Sequence, residues 1–278
     1  MSTPDARGAP PTPAAEPHTP HHRVHVVSVS GKPGETLTLP LAFSTPLRPD
    51  LIRRAVVSAQ AARRQPHGTS RTAGRRHSVE WSGKGKGVAR TPRLMESNRG
   101  AQAPNTVGGG QAHPPRTATI WTKKINLKER RLAFQSALAA TRTATLLKAR
   151  GHDVPDGLAL PVVVETPLES IATVARARTL LDGLKLWSDV ERAAAGTHVV
   201  AGRGKRRGRF RHTPLSLLVV TSASGQARGF RNLAGVDVVP VGRLGTEDLA
   251  PGGTPGRLTI FSQAAVGALA QRIEGVPA

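Results

Sequence analysis

Apolar positions fall into three regimes along the chain. From Val24 to about Gln65 they first alternate, at Val24, Val26, Val27 and Val29 and then at Leu37, Leu39 and Leu41. After Pro49-Asp50 the period changes. Ile52, Ala55, Val56 and Ala59 recur at the spacing of one helix face, with Pro in the favoured first helical position. In the third regime, Asn126 and Glu129 predict an N-cap and its partner for one long helix through Leu132, Phe134, Leu138 and Leu147, stopped at Gly151. Residues 160–164 form a buried-type strand. Thr166-Pro167-Leu168-Glu169 predicts a helix start with Pro at N1 and a capping box, leading a face of Leu168, Ile171, Val174 and Leu181; Ser188-Asp189-Val190-Glu191 repeats the device. Residues 217–221, 236–241 and 258–261 are strand-length apolar runs, and Ser262 caps a last helix carrying Val266, Leu269 and Ile273. Strands separated by helices predict an α/β fold: a small four-stranded parallel sheet covered by helices on both faces.

The middle regime, residues 66–122, has almost no apolar period. It is dense in Gly and Arg, and a segment this long inside a domain is normally either disordered or functional. Arg71, Arg75, Arg76, Lys84, Lys86, Arg90, Arg93, Arg99 and Arg116 face only Glu80 and Glu96, and Lys123 and Lys124 follow directly. Gly83, Gly85 and Gly87 let backbone pass close to a phosphate, and Trp81, with His77 and His113, suits stacking on unpaired bases. The chain therefore divides into a disordered tail at 1–23, a first globular part at 24–65, an extended basic loop at 66–122 and a main α/β part at 123–278.

A second cationic run is tighter still. Gly202-Arg203-Gly204-Lys205-Arg206-Arg207-Gly208-Arg209-Phe210-Arg211-His212 concentrates like charge that would repel itself without a polyanionic partner. The whole chain of 278 residues carries a formal net charge of +22, mostly as arginine, whose planar guanidinium pairs with phosphate and stacks on bases. Nucleic acid is thus favoured over a membrane surface, and no apolar run approaches the roughly 20 residues that would span a bilayer. No secretory signal is expected. The absence of cysteine removes disulfides, thiolate zinc sites and thiol nucleophiles, and is compatible with a reducing cytoplasm.

Enzymatic readings find little support. Gly83-Lys84-Gly85-Lys86-Gly87 and the 202–208 run lack the Ser/Thr and the strand-turn-helix setting of a phosphate-binding loop, so no cofactor is expected. His18, His21, His22 and His25 lie in a Pro-rich coil without fixed metal-ligand spacing. Asp153 with Asp156 reads as a turn, and Ser222 and Ser224 lack evident triad partners. A DNA-compacting protein and an RNA-modifying enzyme on a similar sheet stand as alternatives. Against the first, the charge sits in glycine-rich loops and not on a helix that could enter a major groove; against the second stands the missing cofactor motif.

Several segments, in order, resemble the archaeal and eukaryotic type of the large-subunit ribosomal protein L-four family. They are Thr45-Pro46-Leu47-Arg48-Pro49-Asp50, Ala112-His113-Pro114-Pro115, Lys123-Lys124-Ile125-Asn126 and the Gly202 to Arg209 signature. Arg231-Asn232-Leu233-Ala234-Gly235-Val236, Leu249-Ala250-Pro251-Gly252-Gly253 and Gly256-Arg257-Leu258-Thr259-Ile260 follow. The similarity spans about Val24 to Arg272, and Ala112 to Pro115 and the lack of a long C-terminal extension are similar to the archaeal branch. Arg203 and Arg206 replace the usual Lys and Met, which preserves charge, and Ala234 stands where Pro is common. The resemblance implies a structural, non-enzymatic protein of the cytoplasmic ribosome that binds large-subunit ribosomal RNA early in assembly. It further implies neighbouring ribosomal proteins as partners, no small-molecule substrate, and a loop lining the nascent-peptide exit tunnel, its tip near residues 88–99.

Overall fold

The computed structural model describes residues 22–29, 31–223 and 226–274. Most of the tail expected at 1–23, with His18 and His21, and also Ser224, lie outside the described residues. Packing divides the chain into two units: a globular one, comprising the described residues up to Val57 together with those from Ile125 on, and a second of residues 58–124.

The globular unit opens with strands β1 (Arg23–Val27) and β2 (Pro33–Thr38), followed by helix α1 (Pro49–Ala62), whose last turn enters the second unit. The second unit contains β3 (Val79–Trp81) and β4 (Pro92–Leu94). Then come α2 (Leu127–Ala140), α3 (Ala144–Arg150), β5 (Val162–Val164), α4 (Val174–Gly183) and α5 (Trp187–Ala195). The chain continues through β6 (His198–Val199), β7 (Arg211–His212), β8 (Leu218–Thr221), β9 (Asp237–Pro240), α6 (Thr246–Leu249), β10 (Thr259–Ser262) and α7 (Gln263–Glu274).

The α/β class holds, but the sheet is larger than the four strands expected. Its order is β2-β1-β5-β10-β8-β9, parallel except for the antiparallel edge pair β1/β2. The four strands read from the sequence form one contiguous block, and the N-terminal hairpin extends it because Val26 pairs with Val163. Alternation along the central strands serves two cores. Val162, Val164, Val219 and Ile260 pack with Leu180, Leu181 and Val190 of α4 and α5; Val163, Leu218, Val220 and Phe261 face Ile52, Leu138, Val266 and Leu269 of α1, α2 and α7. Burial on both faces explains why these strands are apolar without interruption.

The long helix expected from Asn126 to Gly151 is two helices, broken at residues 141–143. Its ends are as expected: the Asn126 side chain accepts from Lys128 N at 3.3 Å, and Gly151 closes α3 with φ +95°. Glu129 does not complete a capping box; it pairs with Arg54 at 3.1 Å. Residues 166–170 form a 3-10 turn separated from α4 by Ile171–Thr173, so Thr166 caps nothing. Ala59 of α1 is exposed, one turn beyond the buried stripe. Ser262 does cap α7, accepting from Ala265 N at 3.0 Å.

Ser188, expected to cap, lies inside α5, whose N-cap position is Leu186, and the neighbouring Asp189 is wholly buried. It faces His152 Nδ1 at 3.1 Å and accepts from Arg192 Nε at 2.9 Å, Ser216 Oγ at 2.7 Å and Asp153 N at 3.0 Å. Burial alone would raise its pKa, but the hydrogen bonds from His152 and Arg192 outweigh it and hold the carboxyl well below its ordinary 3.8. A depressed folded pKa contributes stability that is complete above 3.8 and is lost as pH falls through the lower folded value. Asp189→Asn is therefore expected to cost about 3 kcal/mol at neutral pH. In urea titrations the gap to wild type should close as pH drops below 3.8; a gap that persists unchanged to about pH 2 would contradict the assignment.

Candidate nucleic-acid interface

In the second unit the two ends of the long loop are joined at their base. Thr69 N donates to Pro115 O at 3.2 Å, Ser58 Oγ to Lys123 O at 2.5 Å, and the His67 ring stacks on Trp121 at 5.1 Å with Arg64 over the same indole at 4.1 Å. Beyond the base the loop is not irregular throughout. β3 and β4 form a hairpin in the register Val79↔Leu94, Glu80↔Arg93, Trp81↔Pro92, and Arg93 bridges onward to Gly100. Gln102 anchors the approaching strand by donating to the carbonyls of Arg75, at 3.2 Å, and His77.

The turn between β3 and β4 carries Gly83, Gly85 and Gly87, all at positive φ of +67° to +83°, and nothing lies within 4 Å of where their Cβ atoms would be. Left-handed residues alternate with lysines there, so the ribbon is open on its sides and exposes Lys84, Lys86 and Arg90. Trp81, 67% exposed at the end of β3, offers an aromatic face beside that charge.

Nearly all the other cations expected in this unit are also at the surface. Arg71, Arg75, Arg76, Arg99, Arg116, Lys123 and Lys124 are exposed, as is His113. Arg76 Nε donates to Thr72 Oγ1 at 3.1 Å. Arg93 is the exception: half-buried, it donates from Nη1 to Asn98 O at 2.8 Å, which makes it a brace for the turn at residues 95–98.

The second run is also a hairpin tip. β6 and β7 pair through His198↔His212 and Val199↔Arg211, and Val200 N donates to Phe210 O at 2.9 Å. Between them residues 202–207 wind into a 3-10 turn that ends at Gly208, with φ +79°. Arg203, Lys205, Arg206, Arg207, Arg209 and Arg211 are all exposed. Among the described residues none of the cations named for either surface forms an ion pair with a carboxylate. Two features went unread in the sequence: Phe210 is 53% exposed amid the arginines, and the His198 and His212 rings lie 5.3 Å apart at the hairpin stem. An aromatic residue inside a cationic run, with no apolar period to join, is the signal that could have marked Phe210.

At the carboxyl ends of the parallel strands, where α/β folds commonly bind ligands, the chain fills the space with its own Glu169. That carboxylate accepts from Ser222 N at 2.6 Å and from the Ser222 and Ser262 hydroxyls at 2.7 and 2.5 Å.

Comparison with known proteins assigns the chain to a family. Residues 37–272 match the Ribosomal protein L4/L1 family. The chain belongs to that family. It is similar to the large ribosomal subunit protein uL4 of Methanopyrus kandleri, 45% identical over 254 residues that cover 89% of this chain and 98% of the relative. The same-named protein of Pyrobaculum aerophilum is 46% identical over 254 residues, 90% of each chain, and that of Halobacterium salinarum 43% over 251 residues, 90% of this chain and all of the relative. These relatives are archaeal, so the chain is a family member of archaeal type. Both cationic hairpins lie inside the span that matches the family, whereas β1 lies before it.

Stacking and charge on the long loop separate by substitution. Trp81→Ala should weaken RNA binding by about 1–3 kcal/mol with little change in salt dependence, as expected for loss of one stacked base. Arg90→Ala should lower the slope of log affinity against log salt by about one unit. Filter binding at several salt concentrations reads both, and equal, negligible effects would refute both roles.

Proposed function

We propose that this chain is a structural constituent of the large ribosomal subunit that binds large-subunit ribosomal RNA through both cationic hairpins. The observation that carries the reading is the display, on two glycine-bearing hairpins, of exposed arginine and lysine that form no ion pair with a carboxylate among the described residues. Such surfaces bind by displacing condensed counter-ions, while their fixed shape supplies selectivity for folded RNA. The names of the relatives, large ribosomal subunit proteins and not enzymes, support it. In this reading neighbouring ribosomal proteins are further partners. The loop of residues 66–122 enters the RNA early in assembly, and residues 88–99 approach the path of the nascent peptide.

The protein should travel with large ribosomal subunits in sucrose gradients at moderate salt; a chain found only in the soluble fractions would overturn the proposal. Deleting residues 83–110 should leave the globular unit folded by circular dichroism yet slow maturation of the large subunit. Normal assembly of particles containing the deletion variant would remove the loop from the account.

A further inference from the structure

Between α2 and α7, beside residues 40–45 and 243–246, the globular unit carries an open groove. One hollow of about 410 Å³ is lined by Leu127, Phe134, Leu244 and Ile273 together with Arg130 and Arg243. It continues, through Gln135 and Ile273, which line both, into a second hollow of about 270 Å³ lined by Leu41 and Ala270 and, at its end, by Glu274. Leu41 is 66% and Leu127 48% exposed, so aliphatic surface is left in water along the groove, which is how partner sites are commonly marked. α5, which leads into the cationic hairpin of residues 198–212, packs on the opposite face of the sheet.

The lining discriminates between kinds of occupant. A nucleotide would want an aromatic face, but the ring of Phe134 is already covered by the Arg272 guanidinium at 5.2 Å, itself held by Leu244 O at 3.0 Å. What remains free is the aliphatic surface of Leu41, Leu127 and Ile273, together with the exposed Arg130 and Arg243, which lie in the other hollow from Glu274 and form no ion pair with a carboxylate among the described residues. Aliphatic anchors in a groove with guanidinium groups at one end match an amphipathic, acidic peptide segment. The geometry points to a docking groove for such a segment of a neighbouring protein, its aliphatic side chains on Leu41, Leu127 and Ile273 and its carboxylates on Arg130 and Arg243. This rests on the reading of the chain as a subunit constituent, which supplies the neighbour.

A photo-crosslinker tests it in assembled subunits. With benzoylphenylalanine at position 135, or at the more exposed position 41, irradiation should give a protein adduct whose cross-linked peptide is net acidic and contains at least two aliphatic residues. The double variant Arg130→Glu/Arg243→Glu, still incorporated, should lower the adduct yield by about tenfold, the equivalent of two modest ion pairs. An adduct on RNA alone, a cross-linked peptide without net acidity, a yield indifferent to the charge reversal, or no adduct at either position in normally sedimenting subunits would each overturn the groove assignment. If the unmodified chain itself fails to sediment with the subunits, the proposed function falls instead.

Discussion

Replacing Arg257 by Ala is expected to remove about 3 kcal/mol from the stability of the globular unit, the order expected when a buried donor serving several carbonyls is deleted and a cavity is left; its carboxylate partner Asp237 is half exposed and stays solvated. Its side chain is 1% exposed, two residues ahead of β10. Nε donates to Ser216 O at 3.2 Å, Nη1 to Asp248 O at 3.1 Å, and Nη2 to Leu217 O at 3.3 Å and Asp237 Oδ2 at 2.6 Å. The guanidinium thus ties together the starts of β8 and β9 and the end of α6. Alanine leaves the Ser216, Leu217, Gly235 and Asp248 carbonyls each short of a donor as well as a cavity, in a domain whose total stability is on the order of 5–15 kcal/mol. Arg257→Lys should be intermediate, because a single ammonium cannot reproduce the planar fork. Urea denaturation followed by circular dichroism gives the result, and an alanine variant within about 1 kcal/mol of wild type would show that the network carries little of the stability.

The second large effect concerns RNA. Changing Arg203, Lys205, Arg206, Arg207, Arg209 and Arg211 together to Gln should lower the slope of log affinity against log salt by roughly four to five, since each phosphate contact contributes about 0.7–0.9. Affinity at low salt should fall on the order of a thousandfold. The fold should survive, because these side chains are exposed at a hairpin tip and the β6/β7 stem is held by backbone pairing. Near-wild-type salt dependence would mean that the long loop binds alone. A loss of affinity with an unchanged slope would mean that the hairpin acts through shape, with Phe210 as the first residue to substitute.

Gly235 shows why part of the family-like pattern exists. It has φ +70°, and a Cβ there would meet Pro214 O at 2.3 Å, so the turn into β9 can pass the chain end before β8 only with glycine. That constraint is steric and lies between segments distant in sequence. The Arg231-to-Val236 motif could be matched without revealing its cause.

What the sequence determined by itself is what depends on local pattern. Runs such as Val162–Val164 and Leu218–Thr221 are buried on both faces, so their composition announces a covered parallel sheet. Asn126, Gly151 and Ser262 act on backbone within a few residues of themselves and were legible as caps. The cationic runs were legible because charge density without apolar period is itself a local property, and exposure follows from it. Tertiary structure alone decided the rest. Val26 joins the sheet by pairing with Val163, and Glu169 leaves a would-be capping box to meet Ser222 and Ser262, which are 53 and 93 residues away. Asp189, Arg257 and Arg93 each look like surface charge in sequence. The partners that bury the first two, Ser216 for Asp189 and Asp237 for Arg257, lie 27 and 20 residues away and are brought near only by the fold, whereas Arg93 braces a turn five residues on; a charge is buried only where such partners offset the loss of water.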